Sequence, residues 1–368
     1  MIRPSFSFAR IAAIARKELL HLRRDRLTGG MVAGIPVVMT LLFGFAINQD
    51  VRHLRAGVAD LAGTTLSRGL AADAEATQVI DIVVRVREAR ELEALLVEGR
   101  ISVGIVIPRD FERRVARGEP PFAQLLIDGG DPVVLAAARG LGPLPVRAGA
   151  AVPAAASTFE VRPYFNPERR SPVHIVPGIA GVILTLTMVL FTSIAIVGER
   201  ERGNLELLIT TPVQTLELMA GKIAPYIVIG YVQVTLILLL GYFLFGVPIR
   251  GSLIDLAVGA GVFIAASLTL GLFISTLAAT QFQAFQMTFV TFVPQMLLSG
   301  FMFPFDGMPK PAQWLAEVFP LTHFVRIVRG IVLRGANLGQ VWSDVWPLLL
   351  FFAVAMTLAM ARFRKRLD

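Results

Sequence analysis

Long apolar runs, interrupted by short charged stretches, fill most of the second half of the chain. Residues 173–197, 223–246 and 256–301 contain no Asp, Glu, Lys or Arg, and residues 28–49 are equally free of charge. A bilayer core takes about 20 apolar residues per helix. Spans are therefore predicted at 28–49, 173–197, 223–246, 253–277, 283–301 and 342–361, with Ala279-Thr280-Gln281-Phe282-Gln283 as the polar break between the fourth and fifth. Residues 302–341 are cut by Pro304, Pro309, Pro311 and Pro320 and punctuated by Arg326, Arg329 and Arg334. No segment there is long and uncharged enough to cross. It reads as short helices at, or dipping into, the outer face, with Trp314 and Phe319 at the interface.

Two stretches follow other periods. Residues 1–27 set Phe6, Ile11, Ile14, Leu19 and Leu22 against Arg10, Arg16, Lys17, Arg23, Arg24 and Arg26, the pattern of a basic amphipathic helix lying on the membrane or of a plain basic flank. Residues 50–172 are charged throughout. Strands are expected at 54–59, 79–86, 101–107 and 122–127, alternating with helices at 67–76, 88–98 and 109–117, which makes a small α/β domain. Its aspartates (Asp60, Asp81, Asp110, Asp128, Asp131) have no metal-ligand spacing and each follows or ends an element, so they read as caps and turns. The Ala-, Gly- and Pro-rich residues 132–158 read as a linker or broken helices.

The expected fold class is a polytopic α-helical membrane protein of six transmembrane helices with an α/β (α+β) extracytoplasmic domain between the first two. Basic residues at both chain ends place both termini inside by the positive-inside rule, with residues 198–222 on the same side. The division is an interface helix at 1–27, a first span at 28–49, the α/β domain at 50–172 and a five-helix membrane domain at 173–368.

Composition supports this division. The chain of 368 residues is 55% hydrophobic and only 17% charged, against about 25% charged in soluble proteins. Its net charge of +8 sits mainly beside the spans, where it suits anionic lipid rather than nucleic acid. With no cysteine, disulfides and thiol nucleophiles are excluded. Ion-coupled carriers bury ionisable groups at membrane depth, whereas the apolar runs hold no Asp, Glu, Lys or Arg, and His174 lies at a span edge. An ATP-binding Gly-x-x-x-x-Gly-Lys-Ser/Thr is also missing, since Gly221-Lys222 has neither the upstream Gly nor the hydroxyl. The energy source is then expected on another chain.

The charged interruption at 198–222 concentrates seven charges. Gly203 ends or bends the helix arriving from Glu199, and Leu205, Leu207 and Leu208 around Glu206 make a short amphipathic turn. Thr211-Pro212-Val213-Gln214 has the form of a helix start: Thr as N-cap, Pro first, Gln third. Spacing leaves two readings open, an ordinary linker or a stiff connector that meets a partner.

The run Glu199-Arg200-Glu201-Arg202-Gly203-Asn204-Leu205-Glu206-Leu207-Leu208, followed by Thr211-Pro212, Glu217 and Gly221-Lys222, resembles the signature loop of ABC-2 type transport permeases. Lys17-Glu18-Leu19 with Arg24-Asp25 is similar to that family's N-terminal interface motif. Asn166-Pro167, Pro177-Gly178, Ser299-Gly300-Phe301 with Phe303-Pro304, Met308-Pro309, and Pro320-Leu321-Thr322-His323-Phe324 with Arg329-Gly330 resemble its subgroup with a large outside domain. Asn204 stands where Thr is usual, and 132–158 where a longer helix is usual.

The resemblance implies a permease subunit of a bacterial inner-membrane ABC exporter, without catalytic residues, metal or cofactor of its own. ATP and Mg would be held by a separate ABC ATPase subunit, and a second permease would complete a homo- or heterodimer. It assigns Glu199, Glu201, Gly203, Glu206, Thr211, Pro212, Glu217, Gly221 and Lys222 to ATPase coupling, and Lys17, Glu18, Arg24 and Asp25 to the N-terminal interface. A periplasmic adaptor and membrane lipid are further expected partners, and the cargo is drug-like or lipid-like. The competing readings are an ion-coupled secondary carrier and a membrane scaffold with a functional outside domain.

Overall fold

The computed structural model describes residues 52–146, 157–168, 170–202 and 215–364. The helix and span expected at 1–27 and 28–49, with Lys17, Glu18, Arg24 and Asp25, lie outside the described residues. So does the loop segment with Gly203, Glu206, Thr211 and Pro212.

The first part is an α/β domain: β1 (Leu54–Asp60), α1 (Thr65–Ala76), β2 (Ile80–Val86), α2 (Ala89–Val97), β3 (Val103–Ile107), α3 (Phe111–Arg117), β4 (Ala123–Asp128), α4 (Pro132–Arg139) and β5 (Phe159–Tyr164). The sheet order is β2-β1-β3-β4-β5, parallel except where β3 meets β4. Leu70, Ala74, Phe111, Val115 and Val134, from α1, α3 and α4, cover one face. Leu92 and Leu96 of α2 cover the other. All five residues of β3 are buried, which is why its sequence is continuously apolar rather than alternating.

The expected alternation of strands and helices holds, with one addition. Of the two readings of residues 132–158, linker or broken helices, the second holds for the first part: Asp131 accepts from Val133 N (2.9 Å) and caps α4, with Pro132 in its first turn. The chain then returns as a fifth strand, paired with β4, which was not expected because the alternating Phe159–Tyr164 is too short to stand out. Asp60 and Asp128 serve turns as expected, whereas Asp81 lies within β2 and faces His53 Nδ1 at 2.9 Å, and Asp110 at the start of α3 bonds Arg114 rather than capping the helix. Asp60 accepts from Gly63 N (3.0 Å) and Ser67 Oγ (2.8 Å), and Asp128 from Gly130 N (2.9 Å). Asp110 is held below the usual carboxylate range, chiefly by its hydrogen bond from Arg114.

The second part is helical: α5 (Ser171–Glu201), α6 (Thr215–Phe245), α7 (Leu253–Leu277), α8 (Gln281–Leu298), α9 (Lys310–Ala316), α10 (Pro320–Arg329) and α11 (Trp342–Arg364), with a 3-10 turn at Phe305–Gly307 and a π turn at Gly330–Arg334. Among the described residues four helices are long and apolar enough to cross a membrane: Ser171–Glu201, Pro225–Phe245 within α6, Leu253–Leu277 and Trp342–Arg362. The expected fifth, α8, has only 18 residues with four glutamines and Pro294, and falls short on apolarity. α6 runs unbroken from Thr215 with Pro225 inside it, so the third span continues a helix that begins within the 198–222 stretch. Pro177 lies inside α5.

α7 is apolar on all sides and packs against α5, α6, α10 and α11, as an interior helix should. The ring of Phe263 stacks on Phe324 of α10 at 4.1 Å between centroids. Gly271 lets α7 approach α5 backbone to backbone: a Cβ there would lie 2.6 Å from Val189 O. By contrast α6 and α11 leave broad apolar faces exposed, including Val232, Leu236, Phe243, Leu350 and Val354. Faces of that extent require an apolar surrounding.

Because the clash at Gly271 is with main chain, Gly271→Ala is expected to lower stability by about 1–3 kcal/mol. At Gly69 in α1 an added Cβ meets nothing within 4 Å, so Gly69→Ala should raise stability by about 0.5–1 kcal/mol. Unfolding of the two variants of the purified protein in one detergent checks both signs.

Candidate functional site

Charged side chains gather at the two ends of the helical part. At the end away from the α/β domain, α5 finishes at Glu201 with Arg202 at its C-cap, immediately before Gly203. The short connection from α7 to α8 lies against it. A helix end leaves four carbonyls or four N–H groups without intrahelical partners, and here two adjacent residues supply both kinds of partner. Arg200 donates to Ser275 O (3.2 Å) and to Ala278 O at the carbonyl end of α7. Glu201 accepts from Gln281 N (3.0 Å) and Gln281 Nε2 (2.6 Å) at the N–H end of α8. Each charge also has the sign that the facing helix dipole favours. Thr280 completes the turn by accepting from Gln283 N (3.2 Å).

Of the residues predicted for coupling, Glu201 therefore belongs to this clamp. Glu199 lines a cavity of about 210 Å³ with Thr192, Ile196, Pro225 and Tyr226, between α5 and the start of α6. Glu217, Gly221 and Lys222 lie on the backbone of α6 at the same end. Sequence reasoning missed Arg200, Thr280 and Gln281 as parts of the site. The signal was present in Ala279-Thr280-Gln281-Phe282-Gln283, which reads as a polar break but whose Thr is an N-cap and whose Gln faces a carboxylate.

At the domain end, the separate motifs meet. Gly178 lies directly beneath the ring of Phe301. Arg329 is half-buried, donates to Gly300 O (3.0 Å) and lies 3.3 Å from the His174 ring. His174 Nδ1 in turn donates to Gly130 O of the α/β domain (2.6 Å). Asn166 holds Arg170 N (3.0 Å) where the chain leaves that domain. Asp306 ties the outer turn back to the domain through Arg55 (3.5 Å) and Ser102 Oγ (3.3 Å).

A second charge group joins α9, α10 and α11. Arg326 pairs with Glu317 (2.8 Å) and Asp344 (3.2 Å) and lies over the Phe305 ring at 4.3 Å. His323 places Nδ1 3.0 Å from Asp344 Oδ1 and Nε2 2.9 Å from Glu317 O. Between this group and the α/β domain runs a crevice of about 1000 Å³, lined by Arg55, Glu98, Asp306, Lys310 and Trp346 among others.

The geometry provides a mechanical connection at one end and a charged seam at the other, joined by helices without ionisable groups between. Residues 30–361 match the family model described as ABC-2 family transporter protein. The chain belongs to the ABC-2 family of transporter proteins. It is 29% identical over its whole length to the Escherichia coli protein named probable multidrug ABC transporter permease YbhS, also covered in full. It is 28% identical to the E. coli protein named probable multidrug ABC transporter permease YbhR, over 98% of this chain and 99% of that one. The E. coli inner membrane transport permease YhhJ is 29% identical over 75% of this chain and 76% of its own. In this ABC-2 family protein the clamp ties the end of α5, Glu199–Arg202, to the rest of the helical body.

If Glu201 and Gln281 act as one unit, Glu201→Ala and Gln281→Ala should each lower the melting temperature, and the double variant should lose no more than the larger single loss. Additive losses would show that the two side chains act independently.

Proposed function

We propose that this ABC-2 protein is the permease subunit of an ATP-driven exporter in a bacterial inner membrane. It works as one half of a homo- or heterodimer, with an ABC ATPase subunit docked at the end that carries Glu199–Arg202. ATP and Mg belong to that subunit, since this chain lacks the Gly-x-x-x-x-Gly-Lys-Ser/Thr loop. The chain crosses six times, with both termini cytoplasmic and the α/β domain outside, where a periplasmic adaptor would meet it.

The observation that carries the reading is the Arg200–Glu201 clamp. A push on the loop after Gly203 reaches α5 directly and the α7–α8 turn through hydrogen bonds at Ser275, Ala278 and Gln281. Three helices then move as one body. Gly203, Glu206, Thr211, Pro212, Glu217, Gly221 and Lys222 form the surface that meets the ATPase, and Lys17, Glu18, Arg24 and Asp25 lie beside it. The relatives named as multidrug permeases support a drug-like or lipid-like cargo. So does the half-exposed stripe of Phe282, Phe285 and Phe289 on α8, which suits an apolar ligand.

The test is export by proteoliposomes containing this chain and its ATPase. Glu206→Lys and Gly203→Pro are expected to lower ATP-dependent export by about tenfold or more, equivalent to at least about 1.4 kcal/mol of lost coupling. Arg200→Ala should lower export while the ATPase still co-purifies, separating transmission from docking. Unchanged export and ATP hydrolysis in all three variants overturns the assignment.

A further inference from the structure

A groove of about 390 Å³ runs between α6 and α7 on their outward side. Its floor is buried: Val234 and Leu238 from α6, Leu256 and Ala260 from α7. Its rims are exposed, with Leu239, Tyr242 and Phe243 on one side and Leu253 on the other. The space exists because α7 lines it with Ala257 and Ala260, which are too small to meet the long side chains of α6. Tyr231 crosses from α6 at the far end, where its hydroxyl donates to Ala257 O (3.0 Å) and so makes no further polar demand on the groove.

The near end, at Phe243, Ile249 and Leu253, lies beside the connection from α6 to α7, and two arginines meet the chain there. Arg170 donates to Phe245 O at the carbonyl end of α6, with its guanidinium against Gly246. Arg250 follows Ile249 directly and donates to Leu333 O (3.2 Å). Each gives one N–H to main chain and is otherwise exposed, and among the described residues neither is paired with a carboxylate. Asp255, the acid nearest in sequence to Arg250, accepts from Leu338 N (3.2 Å).

The two ends ask for different chemistry. The groove takes an apolar body, and its volume falls within the range of about 300–1,000 Å³ typical of ligand sites. The arginines take an anion, and a guanidinium fork suits phosphate. From Tyr231 to Phe243 the groove follows α6 for about 18 Å at 1.5 Å per residue, close to one leaflet of a hydrocarbon core about 30 Å thick. A phospholipid satisfies both ends at once, whereas a free anion leaves the groove empty and an uncharged apolar molecule leaves the arginines unused. We propose that this groove binds an anionic phospholipid, one acyl chain lying between α6 and α7 and the phosphate at Arg170 and Arg250. The proposal rests on the membrane reading above and adds a lipid site separate from the coupling surface and from the aromatic stripe of α8.

The test places the full chain in phosphatidylcholine vesicles with a trace of phosphatidylglycerol carrying a photoactivatable diazirine in one acyl chain. Phosphatidylcholine with the same chain is the control probe. On irradiation the phosphatidylglycerol probe is expected to label Leu239, Tyr242, Leu253 and Ala257 about fivefold or more above the control, the share of one basic residue near an anionic surface. Both probes should label the exposed Leu350 and Val354 of α11 alike. Arg170→Gln with Arg250→Gln should bring groove labelling by the two probes to the same level. Ala257→Phe, at an exposed position on the rim, should lower groove labelling by both. Equal labelling of the groove by the two probes in the unaltered chain overturns the proposal, and so does a preference that survives loss of both arginines. Labelling of α11 with none in the groove overturns it too, because protein then covers the groove, while the membrane reading stands. If neither α6 nor α11 is labelled, both fail.

Discussion

Backbone groups at a helix end must find partners, and in an apolar bundle few partners are available. The turn between α7 and α8 presents the carbonyls of one helix and the N–H groups of the next within three residues, and the adjacent Arg200 and Glu201 satisfy both. Hydrogen bonds with a charged partner are stronger than neutral ones, and these tie the end of α5 to the α7–α8 turn. With 31 residues, α5 is about 46 Å long at 1.5 Å per residue. The helix thereby connects the clamp to the far end, where Gly178 packs under Phe301 and His174 touches the α/β domain.

The far end resolves an apparent conflict in charge. In the proposed topology, Lys310, Arg326, Arg329 and Arg334 fall where the positive-inside rule disfavours cations. Arg326 is matched by Glu317 and Asp344, and Arg329 donates to Gly300 O beside His174. Arg334 lies against Gly99 of the α/β domain. The three arginines are structural ties, engaged by partners within the protein, while Lys310 reaches Gln313 of its own helix. The same ties seat the α/β domain on the hairpin of α9, α10 and α11.

Much of this was legible in the chain. The four apolar helices, the strands through β4, the turn at Asp60, the cap at Asp131 and the end of α5 at Glu201 depend on neighbours a few positions apart. One element, β5, escaped for the same reason in reverse. β5 is an edge strand paired with β4 across 36 positions, as in Gln124–Glu160. In the candidate site, Glu199 and Glu201 were identifiable, but Arg200 was merely one charge among several until the α7–α8 turn was placed beside it.

By itself the sequence determined where the chain is apolar enough to span, where its elements start and stop, and, through its motifs, the family to which it belongs. Those properties follow from short-range chemistry: side-chain period, capping groups, and runs without charge. Only the tertiary structure decided which partners meet, because the contacts that define the two ends join residues such as Arg200 and Ala278, 78 positions apart, and Ser102 and Asp306, 204 apart. A charge in sequence carries its sign but not its counterion. Packing of α5 against α7 and of the hairpin against the α/β domain supplies that.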